Sequence, residues 1–251
     1  MSSIPEQSVL WELHSGLPRE GPGDNLSTRI AFALLDELPR VPRILDLGCG
    51  PGMQTLELAR LCDGEITAVD LHQPYLDELA RRSRAAGLAQ RITPMKASMA
   101  ALPFAPGSFD VIWSEGAIYN IGFGEGLALW RPLLADGGFV AVTDCCWLRP
   151  EPPKELRDFW RQYPGMMTVA ATSEAIRRAG YAELRHFTLP QAAWWDDYYT
   201  PMQARIAALE VKYAANPAAL AELAQARREI DLYRRCGGYY GYVFFVMRKA
   251  D

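Results

Sequence analysis

The chain reads as an open, doubly wound α/β sheet of mostly parallel strands. Three observations carry that reading. Short apolar runs alternate with amphipathic helical stretches from residue 43 to residue 147. A glycine-rich turn follows the first of those runs and opens the first of those helices. After Pro150 the alternation gives way to a strand-like run, a long helical stretch and an aromatic terminal strand, a strand pair with an inserted helical cap.

In order along the chain, residues 15–24 hold two Pro and three Gly and read as loop. Leu26, Ile30, Leu34 and Leu38 recur every four residues, which predicts one apolar helix face, capped by Asn25 or Ser27 and ended by Pro39 and Pro42. Arg43–Leu47 is the first strand, and Met53–Cys62 the helix after the glycine turn. Ile66–Val69 is the second strand, ending at Asp70, and Tyr75–Ala86 a helix stopped by Gly87. Strands follow at Ile92–Met95, Phe109–Trp113 and Phe139–Thr143, with a helix around Gly124–Leu134 between the last two. Helices are predicted at Glu155–Tyr163 and Thr172–Ala179, a strand at Tyr181–Leu189, one helical stretch over roughly Pro201–Arg235, and a buried strand at Tyr239–Met247. Neither a repeat nor a low-complexity segment interrupts the pattern, so the chain is a single domain: a lid segment 1–24, a core 25–147, and strands with a helical insertion near 190–235 in 148–251.

Composition narrows the function classes. The 251 residues carry 26 Lys+Arg against 30 Asp+Glu, a net charge of −4. That balance disfavours a phosphate backbone as main partner. The one basic run, Arg81-Arg82-Ser83-Arg84, reads as a solvated helix face. Five cysteines, an odd count without a C-x-x-C pair, point to a reducing cytoplasm and no disulfide framework. No signal peptide and no membrane span are expected, and a metal site is not expected either. Vicinal Cys145-Cys146 after the fifth strand invites a soft metalloid such as arsenic; small buried residues are the stronger reading.

In doubly wound sheets ligands lie beyond the C-terminal strand ends, at the switch in strand order. The turn there is Asp46-x-Gly48-x-Gly50-x-Gly52. Its spacing does not match G-x-G-x-x-G, because Met53 stands where the third small residue belongs, and no Lys follows as in a P-loop. A nucleoside ligand without a pyrophosphate fits better. Asp70, 18 residues beyond Gly52 at the end of the second strand, is placed to accept hydrogen bonds from two ribose hydroxyls.

The run Leu45-Asp46-Leu47-Gly48-Cys49-Gly50-Pro51-Gly52 resembles the first motif of class I S-adenosylmethionine-dependent methyltransferases, and the resemblance extends over about residues 21–147. It implies a Rossmann-like sheet of seven strands with an antiparallel last strand. It implies S-adenosylmethionine as cofactor: Asp46, Gly48, Gly50 and Gly52 around its methionine part, Asp70 on the ribose, Leu71 against the adenine, and Ser98 and Met99 at the adenine edge. Relatives often carry Asp where this chain has Ser98. Trp113–Phe123 and Arg19-Glu20-Gly21-Pro22-Gly23 resemble a subgroup of small-molecule methyltransferases, which places Ser114 and Gly23 beside the cofactor and the second run in a loop folded over it. The acceptor is then a small molecule; RNA or protein methylation and cofactor binding without catalysis are the alternatives, and the chain is a monomer or a homodimer.

Methyl transfer is an in-line displacement that needs alignment and exclusion of water, with a base only where the nucleophile carries a proton. Glu115 and Tyr119, just past the fourth strand, and His14, in the lid, are the candidates for that chemistry; Glu115 either attracts a cation or accepts a proton. Trp194, Trp195 and Tyr199 are kept as walls of an acceptor pocket, although aromatic clusters of this kind mostly glue helices to sheets.

Overall fold

The computed structural model describes residues 8–163 and 165–250; residues 1–7 of the expected lid segment lie outside them. The strands are β1 Arg43–Leu47, β2 Glu65–Asp70, β3 Ile92–Lys96, β4 Phe109–Glu115, β5 Leu134–Trp147, β6 Met167–Thr168, β7 Tyr181–Thr188 and β8 Tyr240–Lys249. They form one sheet in the order β3-β2-β1-β4-β5-β8-β7, with the two-residue β6 paired to the end of β5. All pairs are parallel except those of β8, which runs antiparallel between β5 and β7. The Rossmann-like sheet with an antiparallel last strand is therefore present, and β6 raises the strand number to eight.

The helices are α1 Val9–His14, α2 Asn25–Phe32, α3 Met53–Leu61, α4 Gln73–Ala85, α5 Phe123–Trp130, α6 Lys154–Phe159, α7 Val169–Arg178, a short α8 Ala192–Trp194, α9 Thr200–Lys212 and α10 Pro217–Cys236. Side chains alternate across each strand, so β1 sends Ile44 to one face and Leu45 and Leu47 to the other. One face packs α2, α3 and α4, the other α5 and α7. A third apolar cluster joins α1, α9 and α10 over the C-terminal strand ends, where Leu13, Ile206 and Leu223 are fully buried. There the cap stands above the crevice between β1 and β4, the switch in strand order.

Four expectations need correction. The helix predicted from Leu26, Ile30, Leu34 and Leu38 ends at Phe32 and is capped by Asp24, whose carboxylate accepts from Ser27 N at 2.6 Å. Its leucine face is reversed: Leu26 and Ile30 are 59% and 44% exposed, whereas Ser27 and Thr28 are buried. Thr28 turns inward because its hydroxyl has a carboxylate partner there. Strand β5 runs past Thr143 to Trp147, because β8 continues the ladder opposite Asp144, Cys145 and Cys146. Cys145 and Cys146 are thus strand residues, 3% and 0% exposed, and burial pushes both thiols up. The stretch predicted as one helix over Pro201–Arg235 is two, broken at residues 213–216, where Asn216 caps α10. Lastly, the basic run of α4 is not simply solvated: Arg82 donates to the Leu17 and Pro18 carbonyls at 3.3 and 3.2 Å and ties the N-terminal segment to the sheet domain.

Among the described residues no helix is long and apolar enough to cross a membrane, and no group of three or more metal-ligating side chains gathers.

Candidate active site

A cavity of about 560 Å³ opens at the C-terminal ends of β1, β2 and β4, a volume in the range of small-molecule sites. Its floor is the glycine turn. Gly48, Gly50 and Gly52 have φ of +73°, +52° and +86°, a region that glycine enters without strain. The turn is held from below by Asp70, whose carboxylate accepts from Gly50 N and His72 N, each at 2.9 Å. Asp70 also faces the cavity. Leu71 beside it is 53% exposed and lines the same cavity. Ser98 and Met99 close that end, and the Met99 carbonyl accepts from Trp130 Nε1 at 2.9 Å.

The roof is the N-terminal segment. Glu20 lies over Gly50 and accepts from the Tyr75 hydroxyl at 2.8 Å, with His14 Nδ1 at 3.2 Å from the same oxygen. The other Glu20 oxygen is buried and has no partner in the described structure. Arg19, 5% exposed, reaches across to Glu115 at 2.9 Å and to Asn25 Oδ1 at 3.0 Å, while its Nε has no partner. Gly23 is required by space: a Cβ there would lie 2.9 Å from Arg19 Nη1 and 3.3 Å from Glu115 Oε2.

Of the residues expected around the cofactor, Gly48, Gly50, Asp70, Leu71, Ser98 and Met99 line the cavity together with His14, Glu115 and Tyr119. Asp46, Gly52, Ser114 and Gly23 are placed outside that lining. Ser114 is fully buried and donates to the Leu47 carbonyl at 2.8 Å, fixing β4 to the start of the turn. Gly52 backs onto Leu79, with no room for a Cβ. Asp46 is fully buried behind the turn, accepting from Thr55 at 2.6 Å and Gln54 at 3.4 Å. Glu115 ends a strand and accepts from Thr28 Oγ1, Trp113 Nε1 and Arg19, so its lone pairs and its charge are already engaged. That arrangement makes it an anchor for the roof. Trp194 and Tyr199 are buried and serve packing, Trp194 stacking on Tyr233 at 4.2 Å; the nearby Tyr198 is the one that lines the cavity. Sequence reasoning placed Arg19 and Glu20 in the loop over the cavity without their individual contacts, and missed Thr28 and Tyr75, which are brought in by tertiary packing rather than by a motif.

Desolvation pushes the Asp46 carboxyl up to about 7, only partly offset by the Thr55 and Gln54 hydrogen bonds. The folded value lies above the unfolded one, so Asp46 stabilises the fold at low pH and loses that contribution as pH rises from about 4 to about 7. Between pH 5 and pH 7 the cofactor-free protein is expected to lose about 2–3 kcal/mol from this group, at about 1.4 kcal/mol per pH unit. Denaturant titrations of the wild type and Asp46→Asn across that range check this: the slope should flatten in the variant, and equal slopes would remove Asp46 as its cause.

Residues 44–138 match the protein family described as "Methyltransferase domain". A malonyl-[acyl-carrier protein] O-methyltransferase of Enterobacter lignolyticus is 32% identical over 164 residues, 64% of this chain and 61% of that protein. A dimethylglycine N-methyltransferase of Parasynechococcus marenigrum is 36% identical over 122 residues, 47% of this chain and 44% of that protein. The matches thus span about half the length of these curated relatives. Among solved structures, an S-adenosylmethionine-dependent methyltransferase from Thiobacillus denitrificans, in complex with S-adenosyl-L-homocysteine, superposes with a TM-score of 0.83. It is 20% identical, with 97% of this chain and 98% of that one covered. In its glycine turn, its strand order and these matches, the chain is similar to the class I S-adenosylmethionine-dependent methyltransferases, and it shares their fold.

Proposed function

We propose that the protein transfers a methyl group from S-adenosylmethionine to a small-molecule acceptor. The observation that carries this is Asp70: a carboxylate at the end of β2, clamped to the glycine turn and open to the cavity. The cavity fits the cofactor on its own geometry. Asp70 is placed for the ribose hydroxyls. Leu71, apolar and half exposed, gains cover from the adenine, with Ser98 and Met99 at the edge. Arg19 offers an unpartnered buried Nε to the carboxylate of the methionine part. When bound, the cofactor supplies a methyl group activated by a sulfonium. The chain's part is then to orient and to keep water out. The roof over the turn does the second. His14, its Nδ1 3.2 Å from Glu20, lines the cavity as the candidate proton acceptor, and Tyr119 stays a neutral hydroxyl because burial raises its phenol. A roof that closes the cavity suits a small acceptor better than an RNA or a protein chain.

Calorimetry with S-adenosyl-L-homocysteine tests this. Binding at micromolar ligand is expected for the wild type. In Asp70→Ala the affinity should fall about 100-fold or more, the loss of two charge-assisted hydrogen bonds. No heat at millimolar ligand would overturn the proposal, as would an unaffected Asp70→Ala.

A further inference from the structure

The cavity extends beyond Glu115 and Gly116 to an end walled by Tyr119, Tyr198, Asn120 and His14. Two of these walls are built alike. Tyr198 stacks on Tyr199, ring centroids 5.1 Å apart, and the Tyr199 hydroxyl donates to Glu229 of α10 at 2.9 Å. Tyr119 meets Tyr163 edge to face, also at 5.1 Å, and the Tyr163 hydroxyl donates to Asp144 of β5 at 2.7 Å. Each wall tyrosine is thus backed by a second tyrosine and then by a carboxyl. Asp144 is 2% exposed, and no Lys or Arg forms an ion pair with either acid among the described residues.

Tyr198 is only 8% exposed, yet it lines the cavity. The charges lining the whole cavity point the same way. Among the described residues Arg19 is the only Lys or Arg in the lining, and it is already paired with Glu115; Glu20 and Asp70 are further carboxylates. An anionic acceptor finds no free cation at this end. A cation finds two tyrosine rings there, and because burial raises both the Asp144 and the Glu229 carboxyls, it is the rings that supply the attraction.

We propose that the acceptor is a small amine, bound at the Tyr119–Tyr198 end of the cavity as its ammonium. This rests on the methyl-transfer reading above. The ammonium first gives one proton to His14. The freed nitrogen lone pair then forms the N–C bond while the C–S electron pair stays on sulfur. The products are a methylated ammonium and S-adenosylhomocysteine, and the proton on His14 leaves to solvent.

The test uses the 251-residue chain saturated with S-adenosylhomocysteine, with benzylamine, benzyl alcohol and benzoate as matched probes followed by saturation-transfer NMR and calorimetry. Benzylamine is expected to bind at least about 10-fold tighter than benzoate. Tyr198→Leu should weaken benzylamine about 5- to 30-fold, the range of a desolvated cation–π contact, while Tyr198→Phe keeps most of the affinity. S-adenosylhomocysteine affinity should be the same in all three proteins. If S-adenosylhomocysteine binds but benzoate or the alcohol equals benzylamine, or no probe binds at about 10 mM, the amine proposal falls and the methyl-transfer reading stands. If S-adenosylhomocysteine itself fails to bind, both fall together.

Discussion

Gly48→Ala is expected to destabilise the cofactor-free protein by about 2–5 kcal/mol, and Gly87→Ala by only about 1–2 kcal/mol. Both glycines have nearly the same backbone, φ +73° and +70°. Placing any L side chain there costs about 1–2 kcal/mol. The difference is what surrounds them. A Cβ on Gly87 meets nothing within 4 Å, whereas one on Gly48 falls inside the Ala117 methyl, with Met99 Cε next at 3.2 Å. Met99 is flexible and can swing aside. Ala117 cannot, because its Cβ moves only with the backbone past β4, and overpacking of this kind adds about 1–3 kcal/mol. Denaturant midpoints of the two variants measure the gap. Equal losses would show that backbone conformation alone governs both sites. S-adenosylhomocysteine affinity should fall in Gly48→Ala, since the added methyl narrows the floor of the cavity, and should be unchanged in Gly87→Ala.

The contrast marks what was legible in the sequence. The turn Asp46–Gly52 and Asp70 could be read because the backbone demands of a strand–turn–helix crossing are local, and only certain residues meet them in that order. The alternation of β1 to β5 with helices was equally plain, since strand and helix periods differ. The four-residue leucine spacing of Leu26, Ile30, Leu34 and Leu38 misled because it was judged by hydrophobicity alone. The buried face of α2 is Ser27, Thr28 and Ala31, and Thr28 is drawn inward by Glu115, 87 residues away. No local pattern reports such a partner. The end of β5 was cut short for the same reason: Asp144 and the two cysteines look unlike strand, and only the β8 ladder opposite them makes them one. Likewise Asp46 and Ser114 sit in motif positions next to the ligand space, but each side chain is spent on the scaffold behind it.

Glu115→Gln should uncouple the roof from the sheet, costing about 3–5 kcal/mol of stability and weakening S-adenosylhomocysteine at least about 10-fold. The ion pair it breaks is 5% exposed on Arg19 and 4% on Glu115. Removing one partner of a buried pair strands the other charge without compensation, which is far costlier than the pair is stabilising. In Glu115→Gln the Arg19 guanidinium loses its counter-charge and keeps only neutral acceptors, Asn25 Oδ1 and the glutamine amide oxygen. The segment it belongs to is then held by Arg82 on the Leu17 and Pro18 carbonyls, by Gly23 N on the Ala193 carbonyl, and by the Glu20–Tyr75 bond. Limited proteolysis should therefore cut the variant between residues 15 and 24 faster than the wild type, and added S-adenosylhomocysteine should slow that cut. A general base makes the opposite forecast, because its charge is spent on the acceptor: stability and cofactor affinity hold, and only turnover falls, by about 10²–10⁴. Arg19→Met separates the two a second time. It leaves Glu115 with its Thr28 and Trp113 donors and so keeps a carboxylate in place for proton transfer. As an anchor mutant it should resemble Glu115→Gln in stability, proteolysis and S-adenosylhomocysteine affinity. If both variants keep wild-type stability and affinity, the buried pair is not what closes the cavity.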